Sequence, residues 1–302
     1  LQFTTEASDN INIVSISVEY WFGTGAHSIL SLTYGSGVYT RLISIPSSSV
    51  KPLYYIFHCR DKAGNARDTT EASISVVDDD KPQLGTDYTP SGGTTGDPFT
   101  FAVLSWDNIG VVNITVEYWF GSGGHVNVTL NGKNPYGVSV DIPHDAAGTM
   151  YYLFHSRDAA GNVKHGTQTA LTITDNDPPG LGEDSTPTIG RSGEGFTFAV
   201  TASDNMGVQK VRVEYWYGKD FHQSALMSHS GGVWTLDIQH LQTTLTFYYF
   251  FTVWDTSNLI DTSDTVKVTM TDDKKMPVFG EDLSDGSATT GETFSFAVEV
   301  SD

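Results

Sequence analysis

The sequence predicts an all-β chain of serial antiparallel β-sandwich domains, each about 97 residues long. Three observations predict this class. The same sequence features recur every 97 or 98 residues along the 302-residue chain. Within each repeat, apolar and polar residues alternate with period two, as in strands that bury one face. Clusters rich in glycine, serine and threonine separate these segments, as turns separate short strands.

Equivalent residues recur along the whole chain. One set of acids, spaced by 98, 97 and 98 residues, comprises Asp9, Asp107, Asp204 and Asp302. A Val-Glu-Tyr-Trp segment contains Glu19, Glu117 and Glu214, and an acidic loop, Asp-x-Ala-Gly-Asn in its first two copies, opens at Asp61, Asp158 and Asp255. We therefore expect domain 1 over residues 1–79, domain 2 over 80–177, domain 3 over 178–274 and the start of a fourth over 275–302.

Both ends of the sequence fall inside a repeat. Leu1-Gln-Phe3 matches Phe99-Thr-Phe101, which lies in the interior of a unit. We expect domain 1 to lack its first strand and residues 275–302 to supply strands A and B of the fourth domain, as in a fragment of a longer array. The alternative is that the C-terminal piece completes domain 1 of a neighbouring chain by strand donation. That piece would duplicate the strand already present at Leu1 to Ala7, so the longer array is the simpler interpretation.

The Val-Glu-Tyr-Trp strand divides its side chains between two faces. We expect the inward set to be Val14, Ile16, Val18, Tyr20 and Phe22, and in later copies Ile114, Val116, Tyr118, Val211, Val213 and Tyr215. A second strand, before the acidic loop, places inward the candidate tyrosine-corner residues Tyr55, Tyr152 and Tyr249. Cys59 shares that inward face, so we expect a buried and inert thiol. About seven such strands per repeat describe a sandwich of immunoglobulin or fibronectin-III type.

Composition excludes several classes of protein. The chain has 16 Lys and Arg against 36 Asp and Glu, a formal charge of −20, which argues against nucleic-acid binding and against anionic membrane surfaces. A single Cys cannot form an internal disulfide. No run of 18 apolar residues occurs, so we expect no membrane span in this segment.

Acidic side chains concentrate where one domain should follow another. In this topology the B–C and F–G loops lie at the N-terminal end of a domain, facing the linker from the preceding one. Grouped carboxylates repel one another unless a cation neutralises them, and oxygen ligands numbering six to eight suit Ca²⁺ better than Mg²⁺. We therefore expect Ca²⁺ at the junctions between domains. The candidate ligands are Asp78, Asp79, Asp80, Asp107, Asn108, Asp158, Asn162, Asp175, Asp177, Asp204, Asn205, Asp255, Asn258, Asp272, Asp273 and Asp302.

Two simpler interpretations compete with calcium. Asp and Asn are common turn formers that cap their own backbone, and Gly64 or Gly161 would then supply only a positive φ. Nearby basic residues could also neutralise some acids without metal, namely Lys81, Lys274, Lys275, Arg60 and Arg157. The third acidic loop, Asp255-Thr-Ser-Asn258, looks one residue shorter and lacks the glycine, so its equivalence is in doubt.

An outward aromatic stripe is the second candidate site. By strand parity the outward residues are Trp21, Tyr54, Trp119, Tyr151, Trp216 and Tyr248. Exposed aromatic patches usually mark contacts, so this face is a candidate for self-association or for stacking on glycans. The alternative is that a neighbouring loop or strand covers each Trp. Glu19, Glu117 and Glu214 share the face and are expected to pair with Arg60 or Arg157.

Other signals are weaker. Two sequons, at Asn113 and Asn127, are candidate N-glycosylation sites, and Asn127 is the better placed, near the start of a strand. His27, His125 and His222 recur once per domain, but one His without metal-ligating partners does not predict zinc. No nucleophile motif or phosphate-binding loop occurs, so we expect no catalysis.

The pattern Phe-Thr-Phe-Ala-Val, Val-Glu-Tyr-Trp, Tyr-Tyr-x-Phe and Asp-x-Ala-Gly-Asn resembles the tandem Ig-like repeats of archaeal and bacterial cell-surface proteins, in the company of PKD, fibronectin-III and cadherin-like modules. The resemblance covers the whole chain. It implies an extracellular structural role: a stalk, filament or surface-layer (S-layer) component that binds copies of itself. The alternative is an adhesin, or a carbohydrate-binding accessory array that uses the Trp/Tyr face on surface glycans.

Overall fold

The computed structural model describes residues 1–239, 244–272 and 276–301. These residues form strands and loops without any helix, so none of them could cross a membrane as a helix. The chain divides into two compact units, Leu1–Thr174 and Asp175–Asp302. The first unit contains domains 1 and 2, and the second contains domain 3 with the opening strands of the fourth.

Domain 1 is formed by β1 (Gln2–Thr5), β2 (Ile13–Phe22), β3 (Ser28–Ser31), β4 (Thr33–Gly35), β5 (Val38–Leu42), β6 (Leu53–Asp61), β7 (Ala66–Asp68) and β8 (Ala72–Ile74). Its sheets follow the orders β3-β2-β6-β7, with β8 also paired to β6, and β1-β5-β4. All of these pairs are antiparallel.

Domain 2 is formed by β9 (Gln83–Asp87), β10 (Gly92–Thr94), β11 (Pro98–Trp106), β12 (Val111–Phe120), β13 (Val126–Thr129), β14 (Asn131–Gly132), β15 (Tyr136–Asp141), β16 (Gly148–Asp158), β17 (Val163–His165) and β18 (Thr169–Thr174). One sheet has the order β14-β15-β11-β9, and the other β10-β18-β16-β12-β13, with β17 paired to β16. The short pair β10 and β18 is parallel, unlike the rest, because the chain crosses from one sheet to the other after β9.

Domain 3 repeats this plan with β19 (Gly180–Asp184), β20 (Ile189–Arg191), β21 (Phe196–Ser203), β22 (Val208–Tyr217), β23 (Gln223–Leu226), β24 (Ser228–Ser230), β25 (Val233–Ile238), β26 (Phe247–Asp255), β27 (Ile260–Thr262) and β28 (Val266–Thr271). Its sheets are β19-β21-β25-β24 and β20-β28-β26-β22-β23. The fourth repeat contributes β29 (Val278–Asp282) and β30 (Val298–Ser301), which pair with each other. The all-β sandwich class is therefore confirmed.

Each sandwich buries the inward side chains that alternate along its strands. In domain 2 the core contains Phe101, Ile114, Val116 and Met150, all nearly inaccessible to water. Fully burying an aliphatic or aromatic side chain of this size stabilises the fold by about 1.5–3 kcal/mol. Domain 3 has an equivalent core, and that of domain 1 is smaller. The predicted inward residues of copies two and three therefore do face the core.

One predicted inward residue is wrong. Val14 is 61% exposed, whereas Ile13 packs against the core of domain 1. The register shifts between Ile13 and Ser15 opposite β6, so a bulge places one extra residue in β2. A bulge interrupts the alternation of period two, which is why side-chain parity failed before Ser15. The same shift recurs at Val111 in β12, and Val112 is exposed.

The inward tyrosines connect the two sheets. The hydroxyl of Tyr152 donates to Asp87 Oδ2 at 2.7 Å, and that of Tyr249 donates to Asp184 Oδ2 at 2.8 Å. Burial, assisted by this hydrogen bond, raises the pKa of Tyr152 to about 12. In domains 2 and 3 the partner is thus a carboxylate on the first strand of the domain rather than the upstream backbone of a tyrosine corner. Cys59 is half-buried beside the core of domain 1, and burial raises the pKa of its thiol.

Candidate metal centres and the aromatic face

Strand pairing in domain 2 brings three acidic segments to one end of the sandwich. The linker enters β9, where Gln83 pairs with Trp106 at the end of β11, one residue before Asp107. The same loop leads into β12, where Val111 pairs with Asp158 at the end of β16. The linker, the loop between β11 and β12, and the loop after β16 are therefore neighbours, as the topology predicted.

Each loop acid first caps its own turn. Asp158 is 1% exposed, and its Oδ1 accepts hydrogen bonds from the backbone of Gly161 (2.7 Å) and Asn162 (2.8 Å). Asp107 Oδ2 accepts from the backbone of Ile109 and Gly110 at 2.9 and 3.0 Å. The turn-forming interpretation is therefore correct for these oxygens. It does not account for the remaining carboxylate oxygens.

The three acids of this end of the sandwich lie close together. Carboxylate oxygens of Asp78, Asp107 and Asp158 all lie within 4.8 Å of one another. Asp78 Oδ2 and Asp107 Oδ1 are buried and have no hydrogen-bond partner. Ligand oxygens at about 2.3–2.6 Å from Ca²⁺ stand up to about 5 Å apart across the ion, so this spacing fits one cation. A buried carboxylate oxygen without a partner is costly unless a cation satisfies it.

The side-chain amides of the neighbouring asparagines contact the cluster through their N–H groups rather than through their oxygens. Asn162 Nδ2 donates to Asp158 Oδ2 at 2.8 Å and to the Asp78 carbonyl at 3.1 Å. Asn108 Nδ2 donates to the Ser47 carbonyl in domain 1 at 2.7 Å and to Asp78 Oδ1 at 3.2 Å. These bonds join the loops of domain 2 to the linker and to domain 1.

The two other linker acids stand apart from the cluster. Asp79 and Asp80 are exposed. Asp80 Oδ2 accepts a hydrogen bond from Asn108 Nδ2 at 3.3 Å, and the backbone N–H of Asp80 donates to Asp78 Oδ1 at 3.3 Å. Neither belongs to the group of converging oxygens.

A second cluster of the same kind lies within the second unit. Carboxylate oxygens of Asp175, Asp204 and Asp255 lie within 4.8 Å of one another. Asp204 Oδ2 accepts from the backbone of Met206 and Gly207, while Asp204 Oδ1 and Asp255 Oδ2 are buried without a partner. Asp255 is 0% exposed.

Amide donors also connect the linker acids of this second cluster. Asn205 Nδ2 donates to Asp175 Oδ1 at 3.1 Å and to Asp177 Oδ2 at 3.3 Å. Asn108 makes the equivalent hydrogen bonds in the first unit, so the same contact between a loop asparagine and two linker acids occurs twice.

The third acidic loop is not shorter than its siblings, which corrects the sequence alignment. Asn258 donates its backbone N–H to the Asp255 carbonyl, as Gly161 does to that of Asp158, and its φ is 68°. Asn258 therefore takes the glycine position, and Leu259 takes the position of Asn162. Asn258 is exposed. Because leucine has no amide to donate, Asp255 Oδ2 lacks the bond that Asp158 Oδ2 has.

Only part of the third predicted junction can be placed. Asp272 is exposed at the end of domain 3, while Asp273 and Asp302 lie outside the described residues.

Hydrogen bonding keeps the buried loop acid ionised. Burial acts to raise the pKa of the Asp158 carboxyl, but the bonds donated by the side chain and backbone of Asn162 and by the backbone of Gly161 outweigh it and lower that pKa. An anionic oxygen set without nitrogen or sulfur suits a hard cation such as Ca²⁺. The residues present therefore fit the ion that the sequence suggested.

The aromatic stripe is covered, which corrects the expectation of an exposed face. Trp119 is only 9% exposed because His125 stacks on its ring at 3.9 Å between centroids and 5° between planes. Tyr151 stacks on the same Trp at 5.6 Å. Each other copy repeats this arrangement, with stacks His27–Trp21–Tyr54 and His222–Trp216–Tyr248. A neighbouring loop residue therefore covers each Trp, which was the alternative interpretation.

The outward glutamates pair with histidines, and the predicted pairing with Arg60 or Arg157 is wrong. Glu19 accepts from His27 Nδ1 at 2.6 Å and from His58 Nε2 at 3.0 Å. Glu117 contacts His125 and His155 in the same way, and Glu214 contacts His222. In each copy the loop histidine lies eight residues after the glutamate, a recurrence in the sequence that could have revealed the pair.

Both candidate glycosylation residues are exposed. Asn113 lies at the bulge of β12, and Asn127 lies on β13, at the edge of its sheet.

The comparisons with known proteins concern the fold alone. No family model matches the chain, and no curated protein matches it. Among solved structures, the titin I-band fragment I67–I69 is 11% identical, with a TM-score of 0.48, and the match covers 90% of this chain and 92% of that one. A tetra-tandem repeat from the extending region of a large adhesion protein is 14% identical, with a TM-score of 0.40 and coverage of 92% and 71%. The FN1–FN3 domains of chicken CNTN1 are 10% identical, with a TM-score of 0.28 and coverage of 89% and 98%.

Proposed function

We propose that this chain is a non-catalytic structural segment of a long extracellular repeat protein of an archaeal or bacterial cell surface. Its domains form a stalk, filament or surface-layer component that binds copies of itself. Calcium at the junctions stiffens the array. The observation that carries the calcium part is the pair of carboxylate clusters, each with buried oxygens that have no hydrogen-bond partner.

The ligand sets explain how an ion would stiffen a junction. Asp78 belongs to the linker that leaves domain 1, whereas Asp107 and Asp158 belong to two loops of domain 2. One ion bound to all three ties the linker to both loops and limits bending there. The amide bonds from Asn108 and Asn162 hold the same segments without metal, and a bound ion adds to them.

The alternative role, an adhesin or carbohydrate-binding array, receives less support from the covered tryptophans. A sugar ring stacks on an open aromatic face, and both His125 and Tyr151 already stack on the ring of Trp119. Glycan binding through this stripe would require the histidine to move away.

A calcium titration tests the proposal. The full chain is titrated calorimetrically with Ca²⁺ after treatment with a chelator, and the stoichiometry is read beside that of the double variant Asp107→Asn/Asp204→Asn. We expect at least two sites in the wild type and the loss of two in the variant. X-ray scattering in calcium and in chelator measures the stiffening, and Asp264→Asn, an exposed acid of domain 3, is the matched control.

Two outcomes would reject the calcium part: equal titrations for the wild type and the double variant, or scattering profiles that ignore the ion. Self-association is tested separately by electron microscopy of the native material, in which regular filaments or sheets are expected. Soluble monomers whose migration shifts in a polysaccharide gel would favour the adhesin role instead.

A further inference from the structure

Two histidines of domain 2 face each other across neighbouring strands. His155 on β16 and His165 on β17 are direct partners in the register. Their Nδ1 atoms are 2.6 Å apart, and their ring planes are inclined by 80°. This pair lies on the outer side of the sheet and uses nitrogen atoms, unlike the carboxylate clusters at the junctions.

The contacts of Glu117 fix which nitrogen of His155 carries the proton. His155 Nε2 lies 3.0 Å from Glu117 Oε2, and an ionised carboxylate only accepts hydrogen bonds. Bonds from His125 first and His155 second lower the pKa of Glu117, so it is ionised near neutral pH. The proton of neutral His155 therefore sits on Nε2. Its Nδ1 lone pair points at His165, which supplies the single proton between the two rings.

Glu117, which contacts His155, is itself held by His125. His125 holds the other oxygen of Glu117 and stacks on the buried Trp119. Metal-binding histidines commonly donate the second ring N–H to a carboxylate, which sets the tautomer and the ring orientation. His155 has this arrangement without a metal. His165 is exposed on a strand of three residues, so its ring can adjust.

We propose that His155 Nδ1 and His165 Nδ1 chelate a divalent first-row transition-metal ion, with Cu²⁺ bound most tightly. Imidazole is a suitable ligand for copper, nickel and zinc ions. Among divalent first-row metal ions, the affinity of a given site is highest for Cu²⁺. With metal–nitrogen bonds of about 2.0 Å and the roughly 90° angle between adjacent ligands of a tetragonal Cu²⁺ site, the two Nδ1 atoms must separate only from 2.6 Å to about 2.8 Å. On binding, the single proton of neutral His165 moves from Nδ1 to Nε2 by exchange with solvent, so the ring stays neutral, and water completes the coordination. No redox step is involved.

The other two domains provide natural controls at the same positions. In domain 1 the pair is His58 and Asp68, with His58 Nδ1 2.7 Å from Asp68 Oδ1. In domain 3 it is Thr252 and Thr262, which are also direct partners. The fold accepts all three pairs, so copying one into domain 2 alters the ligands with little risk to folding.

The experiment measures Cu²⁺ binding to the full chain, free of any affinity tag, by calorimetry and electron paramagnetic resonance. Saturating Ca²⁺ is present to occupy the carboxylate clusters. The result for Cu²⁺ binding is therefore read separately from the result of the calcium titration. We expect one tight site whose spectrum shows two imidazole nitrogens. His165→Asp, which copies domain 1, should weaken it by more than about tenfold, the loss seen even for outer-shell partners. His155→Thr/His165→Thr, which copies domain 3, should abolish it.

The control variant is His58→Thr, which removes the histidine at the equivalent strand position of domain 1 and should leave Cu²⁺ affinity unchanged. The proposal is overturned if the double variant binds Cu²⁺ as tightly as the wild type, or if His58→Thr weakens binding as much as His165→Asp does.

Discussion

Asp204→Asn is the sharpest test of the junction sites because its predicted effect changes sign with calcium. The asparagine keeps an oxygen that accepts from Met206 and Gly207, so the turn is preserved. It removes one of three negative charges whose oxygens lie within 4.8 Å of one another. Two repulsive pairs disappear, those with Asp175 and Asp255.

The magnitude follows from the spacing. Two unit charges separated by 4.8 Å repel by about 0.9 kcal/mol in water and about 3.5 kcal/mol at an effective dielectric of 20. Since Asp175 and Asp204 are half-buried, the lower figure is the safer one, and two pairs then amount to about 2 kcal/mol. In chelator, the variant should therefore melt several degrees above the wild type.

In calcium the order should reverse. A ligand at a hundred times its dissociation constant stabilises the folded state by about 2.7 kcal/mol, and the wild type gains this in full. The variant has lost one of three carboxylate ligands, so it binds the ion more weakly and gains less. Melting curves in chelator and in saturating Ca²⁺, with Asp264→Asn as control, measure both differences.

The competing interpretation predicts something different. If Asp204 served only to form its turn, asparagine would replace it equally well under both conditions, since both residues form such turns. Equal melting temperatures of variant and wild type in chelator and in calcium would therefore refute the metal argument. A loss of stability in chelator would refute the estimate of repulsion.

Three further predictions concern other contacts. Tyr152→Phe removes a bond to an exposed carboxylate and should cost about 1.5 kcal/mol in denaturant titrations, whereas Tyr55→Phe, whose hydroxyl has no partner among the described residues, should cost almost nothing. Asn258→Gly should leave the calcium affinity measured by calorimetry unchanged, because this residue occupies the glycine position of its loop. A large loss of calcium affinity would instead indicate that Asn258 is a ligand. In the wild type, the melting temperature of the first unit should fall as pH rises above 6.5, and His58→Thr should abolish this fall. A variant whose melting temperature depends on pH as that of the wild type does would contradict this.

The pH prediction rests on two opposite shifts. The bond to Asp68, and next that to Glu19, raises the pKa of His58 above 6.5, so its contribution is complete below that value and is lost as pH rises through the raised pKa. Bonds from His27 and then His58 lower the pKa of Glu19 below 4.5, so its contribution is lost only in acid. The network therefore stabilises domain 1 most between about pH 4.5 and 6.5.

The regular part of the fold could be predicted from the sequence because each repeat presents the same alternation of period two. Phe101, Ile114 and Val116 face the core as expected. Val14 was misplaced because a bulge inserts one residue without leaving a mark in composition. The convergence of Asp78, Asp107 and Asp158 followed from topology, since loops at one end of a sandwich must meet.

Side-chain partners were harder to predict than strand faces, for a physical reason. Strand parity tells which side of a sheet a residue occupies, and it placed Trp119 correctly on the outer side. Whether an outward ring is exposed depends on the loop after the strand, and His125 folds back from that loop because Glu117 holds its ring. Glu117 therefore determines both the burial of Trp119 and the orientation of His155. One carboxylate links the aromatic stack to the histidine pair, so Glu117→Gln should disturb Trp119 fluorescence and Cu²⁺ affinity together, whereas His165→Asp should disturb Cu²⁺ affinity alone.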